Sequence, residues 1–133
     1  MKYMERAFGF SWWRLSFAER LPVFEPPADI LETEEGFLVR LEMAGADPRC
    51  WRILVSEKEI LIAGRRLPPS RPLKGVVRME IFCGDFAKRL ALPRRVNPEA
   101  ASGQYCAGFL DVDLPYALSE PSAKTSIEIV LRD

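Results

Sequence analysis

Apolar and polar residues alternate along most of this chain. Between Tyr105 and Pro115, Leu110, Val112 and Leu114 are separated by Asp111 and Asp113, the period-two signature of a strand with one buried and one wet face. Gly108 opens that strand and Pro115 closes it; proline has no N–H for a ladder, so the strand is expected at a sheet edge. After Gly36 an earlier row carries Phe37, Val39, Leu41 and Met43 on one side and Leu38, Arg40 and Glu42 on the other. Trp51, Ile53 and Val55 make a second row and residues 60–63 a third, with residues 56–59 as the turn that pairs them in a hairpin. Residues 65–75 hold three prolines and a glycine among basic residues and read as a loop, after which Val77, Met79 and Ile81 resume the alternation. Residues 86–92 form a further strand ended by Pro93, and Asn97-Pro98-Glu99 starts no more than a helical turn. Short strands at regular intervals with turn residues between them predict an all-β fold, an immunoglobulin-like antiparallel β-sandwich.

The two ends of the chain break this rhythm. Residues 1–24 are an aromatic-rich N-terminal arm, with Phe8, Phe10, Trp12, Trp13 and Phe17 close together. Residues 25–117 hold the sandwich, and residues 118–133 form a C-terminal extension in which Ile127 and Ile129 share one face. The polar run SEPSAKT, residues 119–125, reads as a flexible tether to that extension. By pattern alone the two isoleucines suit an apolar groove on another subunit or a last strand of the same sandwich. A length of 133 residues accommodates one domain of about 100 residues with two short arms, and a second folded domain is not expected.

Charge and chemistry narrow the function classes. Nineteen basic residues balance nineteen acidic ones, so nothing in the overall field favours nucleic acid, and near-zero net charge favours self-association. The basic loop with Arg65, Arg66, Arg71 and Lys74 lacks the interleaved aromatics of a nucleic-acid site. No apolar run approaches the ~20 residues of a membrane span. Glu5, Arg6 and Arg14 interrupt the start where a signal peptide would be uncharged, so a cytoplasmic location is expected. Glu5 and Glu19 also dilute the arm's positive charge, which argues against a membrane as partner. Cys50, Cys83 and Cys106 are odd in number and lack metal-ligand spacing; in apolar strands they are expected to be reduced, buried and inert. The chain has no histidine, hence neither the commonest general base nor a partner for a cysteine nucleophile. With no glycine-rich phosphate loop either, the expectation is a non-enzyme that uses no metal, ATP or other cofactor.

Gly103, Tyr105, Gly108, Leu110, Val112, Leu114 and Pro115 fall in an AxYxxGxLxVxLP-like pattern. Ala28-Asp29-Ile30, Gly45, Leu61-Ile62-Ala63-Gly64, Arg78 with Glu80, Gly84 with Phe86, and Leu92-Pro93 followed by Val96 come in a matching order, and Ile127-Glu128-Ile129 looks like an IxI anchor. Over roughly residues 22–133 the chain resembles the small heat-shock proteins built on an α-crystallin domain. The resemblance implies an ATP-independent holdase that binds unfolding client proteins and assembles from homodimers into larger homo-oligomers. It further implies that Ile127 and Ile129 anchor in a neighbouring subunit's groove, between the strand with Ile53 and Val55 and the strand with Leu110, Val112 and Leu114. Clients and neighbouring arms would meet the aromatic arm. Dimers would form by strand exchange over residues 73–77, including Leu73, Val76 and Val77, an exchange that Pro68, Pro69 and Pro72 restrict. Some positions depart from the family pattern. Trp51 stands for an isoleucine and needs extra room, Lys88 stands where arginine is frequent and cannot make its bidentate contact, and Gly103 stands for an alanine. The alternative function is an adaptor with the related co-chaperone sandwich, a monomer docking on one defined partner.

Overall fold

The computed structural model describes residues 2–6, 24–118 and 126–131, the first five by their backbone. These form β1 (Lys2–Arg6), β2 (Ala28–Glu32), β3 (Gly36–Glu42), β4 (Arg52–Val55), β5 (Glu59–Arg66), β6 (Gly84–Ala91), β7 (Ser102–Cys106), β8 (Phe109–Pro115) and β9 (Ile127–Leu131). All pair antiparallel, in two sheets of order β1-β9-β4-β5-β6 and β2-β3-β8-β7. The alternation fixes how the sheets meet. In the β3–β8 ladder Phe37, Val39 and Leu41 lie opposite Leu114, Val112 and Leu110, so both apolar rows share a face and enter one core with Ile53, Val55, Ile60 and Ile62. Each such side chain taken from water stabilises the fold by about 1.5–3 kcal/mol before entropy costs.

The opposite face of the same ladder sets Arg40 against Asp111, with a two-pronged contact at 2.7 and 2.8 Å. The donated hydrogen bonds of the Arg40 guanidinium hold the Asp111 carboxyl below its ordinary value. Two left-handed residues, Ala107 at φ 53° and Gly108 at φ 84°, close the β7–β8 hairpin, as a tight two-residue turn requires. Tyr105 Oη donates to the Met43 carbonyl at 2.7 Å, and Met43 N–H donates to the Gly108 carbonyl at 2.7 Å, so this hairpin is tied to the end of β3.

The β4–β5 hairpin forms as the sequence predicts, with Ile53 opposite Ile62 and Val55 opposite Ile60. Leu54 and Leu61, on the alternate face, are also buried, which explains why both strands read as continuous apolar runs. The bulk of Trp51 is accommodated by Gly64. A Cβ at Gly64 would lie 2.8 Å from both Trp51 Cδ1 and Phe86 Cζ, and the indole packs edge-on to Tyr105 and Phe86 at 5.0 and 6.2 Å between ring centres. The turn at Pro98–Ala100 is capped by Asn97, whose side chain accepts from Glu99 N–H at 3.1 Å.

Three expectations are corrected. β8 is not an edge strand but lies between β3 and β7; Pro115 is its last residue, so the missing N–H interrupts no interior ladder bond. Val77, Met79 and Ile81 form no strand and are 106, 73 and 74 % exposed, since no described strand of the chain pairs with them. Cys50, Cys83 and Cys106 are exposed rather than buried. Cys50 ends the turn at Pro48–Cys50, Cys83 precedes β6, and Cys106 is the last residue of β7 before its turn, places where an apolar neighbourhood in sequence does not mean an inward side chain. The sequence reading also gave no sign of β1, which pairs with β9 so that Met4 lies opposite Ile129.

Candidate functional site

No group of three or more histidine, cysteine or acidic residues able to hold a metal occurs among the described residues, and no described helix is long and apolar enough to cross a membrane. What the fold presents instead is two apolar segments, one seated and one uncovered.

The seated segment is β9. Its antiparallel register on β4 places Ile129 opposite Ile53 and Ile127 opposite Val55. Ile127 and Ile129 are each 1 % exposed. Leu131 is buried behind them and extends the apolar face by a third residue, one the two-isoleucine pattern did not include. The far wall is the edge strand β7: a Cβ on Gly103 would stand 3.4 Å from Ile129 Cγ2 and 3.6 Å from Leu131 Cδ2. Leu110, Val112 and Leu114 lie one strand further in, on β8, with Val112 paired to Gly103, and belong to the same core as Ile53, Val55 and Ile129. Gly103 is thus the position sequence reasoning passed over. Its one signal was a glycine where alanine is usual. On the outer face Glu128 accepts from Arg52 Nε at 3.0 Å and Nη2 at 3.2 Å, a contact that single-strand patterns cannot reveal because the partners are far apart in sequence. The seat occupied here belongs to the same chain.

The uncovered segment follows β5. Leu73 and Val76 are 61 and 62 % exposed, Val77 fully so, and Leu67, Met79, Ile81 and Phe82 are exposed as well. Its neck, by contrast, is fastened. Arg66 donates through Nε and Nη2 to the Phe82 carbonyl at 2.8 and 2.6 Å, and through Nη1 to the Ala44 carbonyl at 3.3 Å. Its guanidinium also lies 4.6 Å over the ring of Phe24, which stacks on Phe82. These groups line an open cavity of about 1000 Å³. Beside it Arg65 donates to Asp85 at 2.7 Å and holds that carboxyl below its ordinary value. Lys88 stands 3.9 Å from Glu25 of its own chain. β2 forms the outer edge of its sheet, with Leu31 47 % exposed. Phe8, Phe10, Trp12, Trp13 and Phe17 lie outside the described residues.

Comparison with known proteins gives a consistent answer. Small heat shock protein C2 of Rickettsia felis is 25 % identical over 91 residues, covering 68 % of this chain and 59 % of its own length. The chain therefore spans about three-fifths of that relative. Among solved structures, HSP18.5 from E. histolytica superposes with a TM-score of 0.64 at 22 % identity over 76 % of this chain and 97 % of that one. A small heat-shock protein from Xylella fastidiosa, described as having a distinct high order structure, superposes with a TM-score of 0.60 at 25 % identity over 74 % of this chain and 92 % of that one. Residues 29–130 match the Hsp20/alpha crystallin family, and the chain belongs to it.

Proposed function

We propose that this protein is an ATP-independent holdase that captures unfolding proteins through apolar surface. The observation that carries the reading is the run of uncovered apolar side chains from Leu67 to Phe82, set on a fold whose family is that of the small heat-shock proteins. Burial against a client is non-directional, at about 2.5 kcal/mol per ~100 Å² before entropy costs, so many clients would fit. The aromatic arm with Phe8, Phe10, Trp12, Trp13 and Phe17 adds a second apolar surface for clients and for neighbouring arms. In this reading the chain works in the cytoplasm as a homodimer that assembles further. Leu73, Val76 and Val77 supply a strand to the open β2 edge of a second copy. Ile127 and Ile129 leave their own β4 for the equivalent groove of a neighbour, joining dimers. The high order structure belongs to the Xylella protein; the assembly proposed here is supported by the exposed row and the seat that β9 occupies.

The test is suppression of heat-induced aggregation of an unrelated client at near-stoichiometric subunit ratios, equal with and without ATP. Client light scattering unchanged by excess protein would sink the proposal. The adaptor reading has one observation in its favour, a tail seated on its own chain. Native mass separates the two, a monomer supporting the adaptor and a large particle the holdase.

A further inference from the structure

The C-terminal segment β9 is held along both of its edges. On one side β4 pairs with it at three positions, Ile53 with Ile129, Leu54 with Glu128 and Val55 with Ile127. On the other side β1 pairs with all five of its residues, from Lys2 opposite Leu131 to Arg6 opposite Ile127. Val130 and Leu131 lie past the β4 register, so among the described strands β1 alone takes them into a ladder. Successive N–H groups of a strand point to opposite sides, and the segment therefore directs part of its donors to β4 and the rest to β1. Without β1 it would be the open edge of its sheet, with a row of unpaired backbone groups. Three of the five residues of β1 are charged, as suits the strand that ends a sheet.

We propose that Lys2–Arg6 is a latch over the seated C-terminal segment, so that the N-terminal end of the chain governs whether the tail leaves its groove. The two grips differ in kind. The one on β4 adds side chains sunk in the core, with Ile127 and Ile129 each 1 % exposed; the one on β1 is a backbone ladder, made only while the tail is seated. Seating and latching are linked, and whatever draws β1 away loosens the tail by the same factor by which emptying the groove loosens β1. The latch belongs to the chain that supplies the groove, and would close equally over a tail arriving from a neighbour. β1 is also the start of the aromatic arm. On the holdase reading, and resting on it, a client that draws the arm away would by the same linkage release the tail.

The test uses the full chain with Cys50, Cys83 and Cys106 changed to serine and with Ser56→Cys and Ser126→Cys as reporters of the seated tail. Continuing the observed register puts residue 126 opposite residue 56, at the roughly 4.5–5.5 Å Cα separation of facing antiparallel residues, which a disulfide can bridge. The disulfide is measured at equilibrium in a glutathione buffer, with total thiol loss counting links within and between chains alike. Tyr3→Pro with Met4→Pro removes a donor to β9 whichever way the two N–H groups point. It should lower the equilibrium constant about three- to ten-fold, because each ladder bond lost is worth a factor of about two to ten and the ordering of a chain end offsets part of the sum. Tyr3→Thr with Met4→Val, which suit a strand, should keep the parental constant. Deleting residues 2–6 should match the proline pair, and it decides the matter if the prolines reduce amide protection in β3 and β8. A proline pair or a deletion equal to the parent would overturn the latch, since pairing with β1 would then not hold the tail. A threonine and valine pair as low as the proline pair would overturn it too, by assigning the effect to side chains and not to the ladder. No client enters the measurement, so failure of the latch is distinguishable from failure of the holdase reading.

Discussion

β9 and the segment around Val77 have the same pattern and opposite fates. Ile127, Ile129 and Leu131 alternate with outward residues and are buried; Val77, Met79 and Ile81 alternate in the same way and are exposed. The difference is a ladder partner. β9 lies beside β4 within the sheet, whereas no described strand takes residues 77–81. Alternation therefore fixes which side chains share a face and says nothing about whose edge that face will meet. An apolar row that no described strand of its own chain takes up is the kind of surface that marks an interaction site.

The largest effect should come from emptying the seated side. An Ile127→Ala, Ile129→Ala variant removes two fully buried side chains, each worth about 2–5 kcal/mol. Amide exchange should accelerate in β4 and β9 while β3 and β8 stay protected, and sedimentation should show large particles converted to dimers or small oligomers. A variant of parental mass would mean that the tail does not join dimers. The uncovered side should respond in the opposite way. Val76 and Val77 pack against little in one chain, so Val76→Asp, Val77→Asp should leave the unfolding free energy of the sandwich within about 0.5 kcal/mol of the parent. It should nonetheless abolish the dimer, as read by native mass spectrometry. An unchanged dimer would assign that interface elsewhere.

The smallest effect concerns the frame that both segments share. Asp111 has its folded-state carboxyl value lowered by Arg40, so its contribution is complete above the ordinary carboxylate range, near pH 4. It disappears as pH falls through the lowered value. Asp111→Asn should therefore cost at most about 1 kcal/mol at pH 7, because the pair is partly exposed, and the gap between variant and parent should close in strong acid. Thermal melts at pH 7 and pH 2.5 measure this. A gap that does not narrow at all from about pH 4 downward would mean that packing, not the charge pair, is responsible.

Much of the fold was legible because period-two alternation and turn residues are local signals. The rows of β3, β4, β5 and β8, the turn at Asn97 and the inward Trp51 all follow from neighbours within a few residues. What the sequence hid depends on distant pairing. The place of β8 between β3 and β7, the strand at Lys2–Arg6 and the Arg52–Glu128 contact require knowing which strands are adjacent. The cysteines misled for a related reason: Cys50 and Cys106 end their elements and Cys83 stands just before one, where alternation no longer decides which way a side chain points. In the candidate site Ile53, Val55, Ile127 and Ile129 come together, while Gly103 could be found only through the strand facing them.

The fit between Trp51 and Gly64 has a consequence for how this sequence can change. With a Cβ at residue 64 only 2.8 Å from the indole, no side chain can be added there while the tryptophan remains. An aliphatic residue at 51 with glycine retained would leave an unfilled space beside Phe86. The constraint runs one way, because a Cβ at residue 64 would also stand 2.8 Å from Phe86 Cζ and 2.9 Å from the Cys50 carbonyl oxygen. Shrinking the tryptophan would open a space without admitting a side chain at 64, so the glycine is held by its backbone neighbour whatever stands at 51.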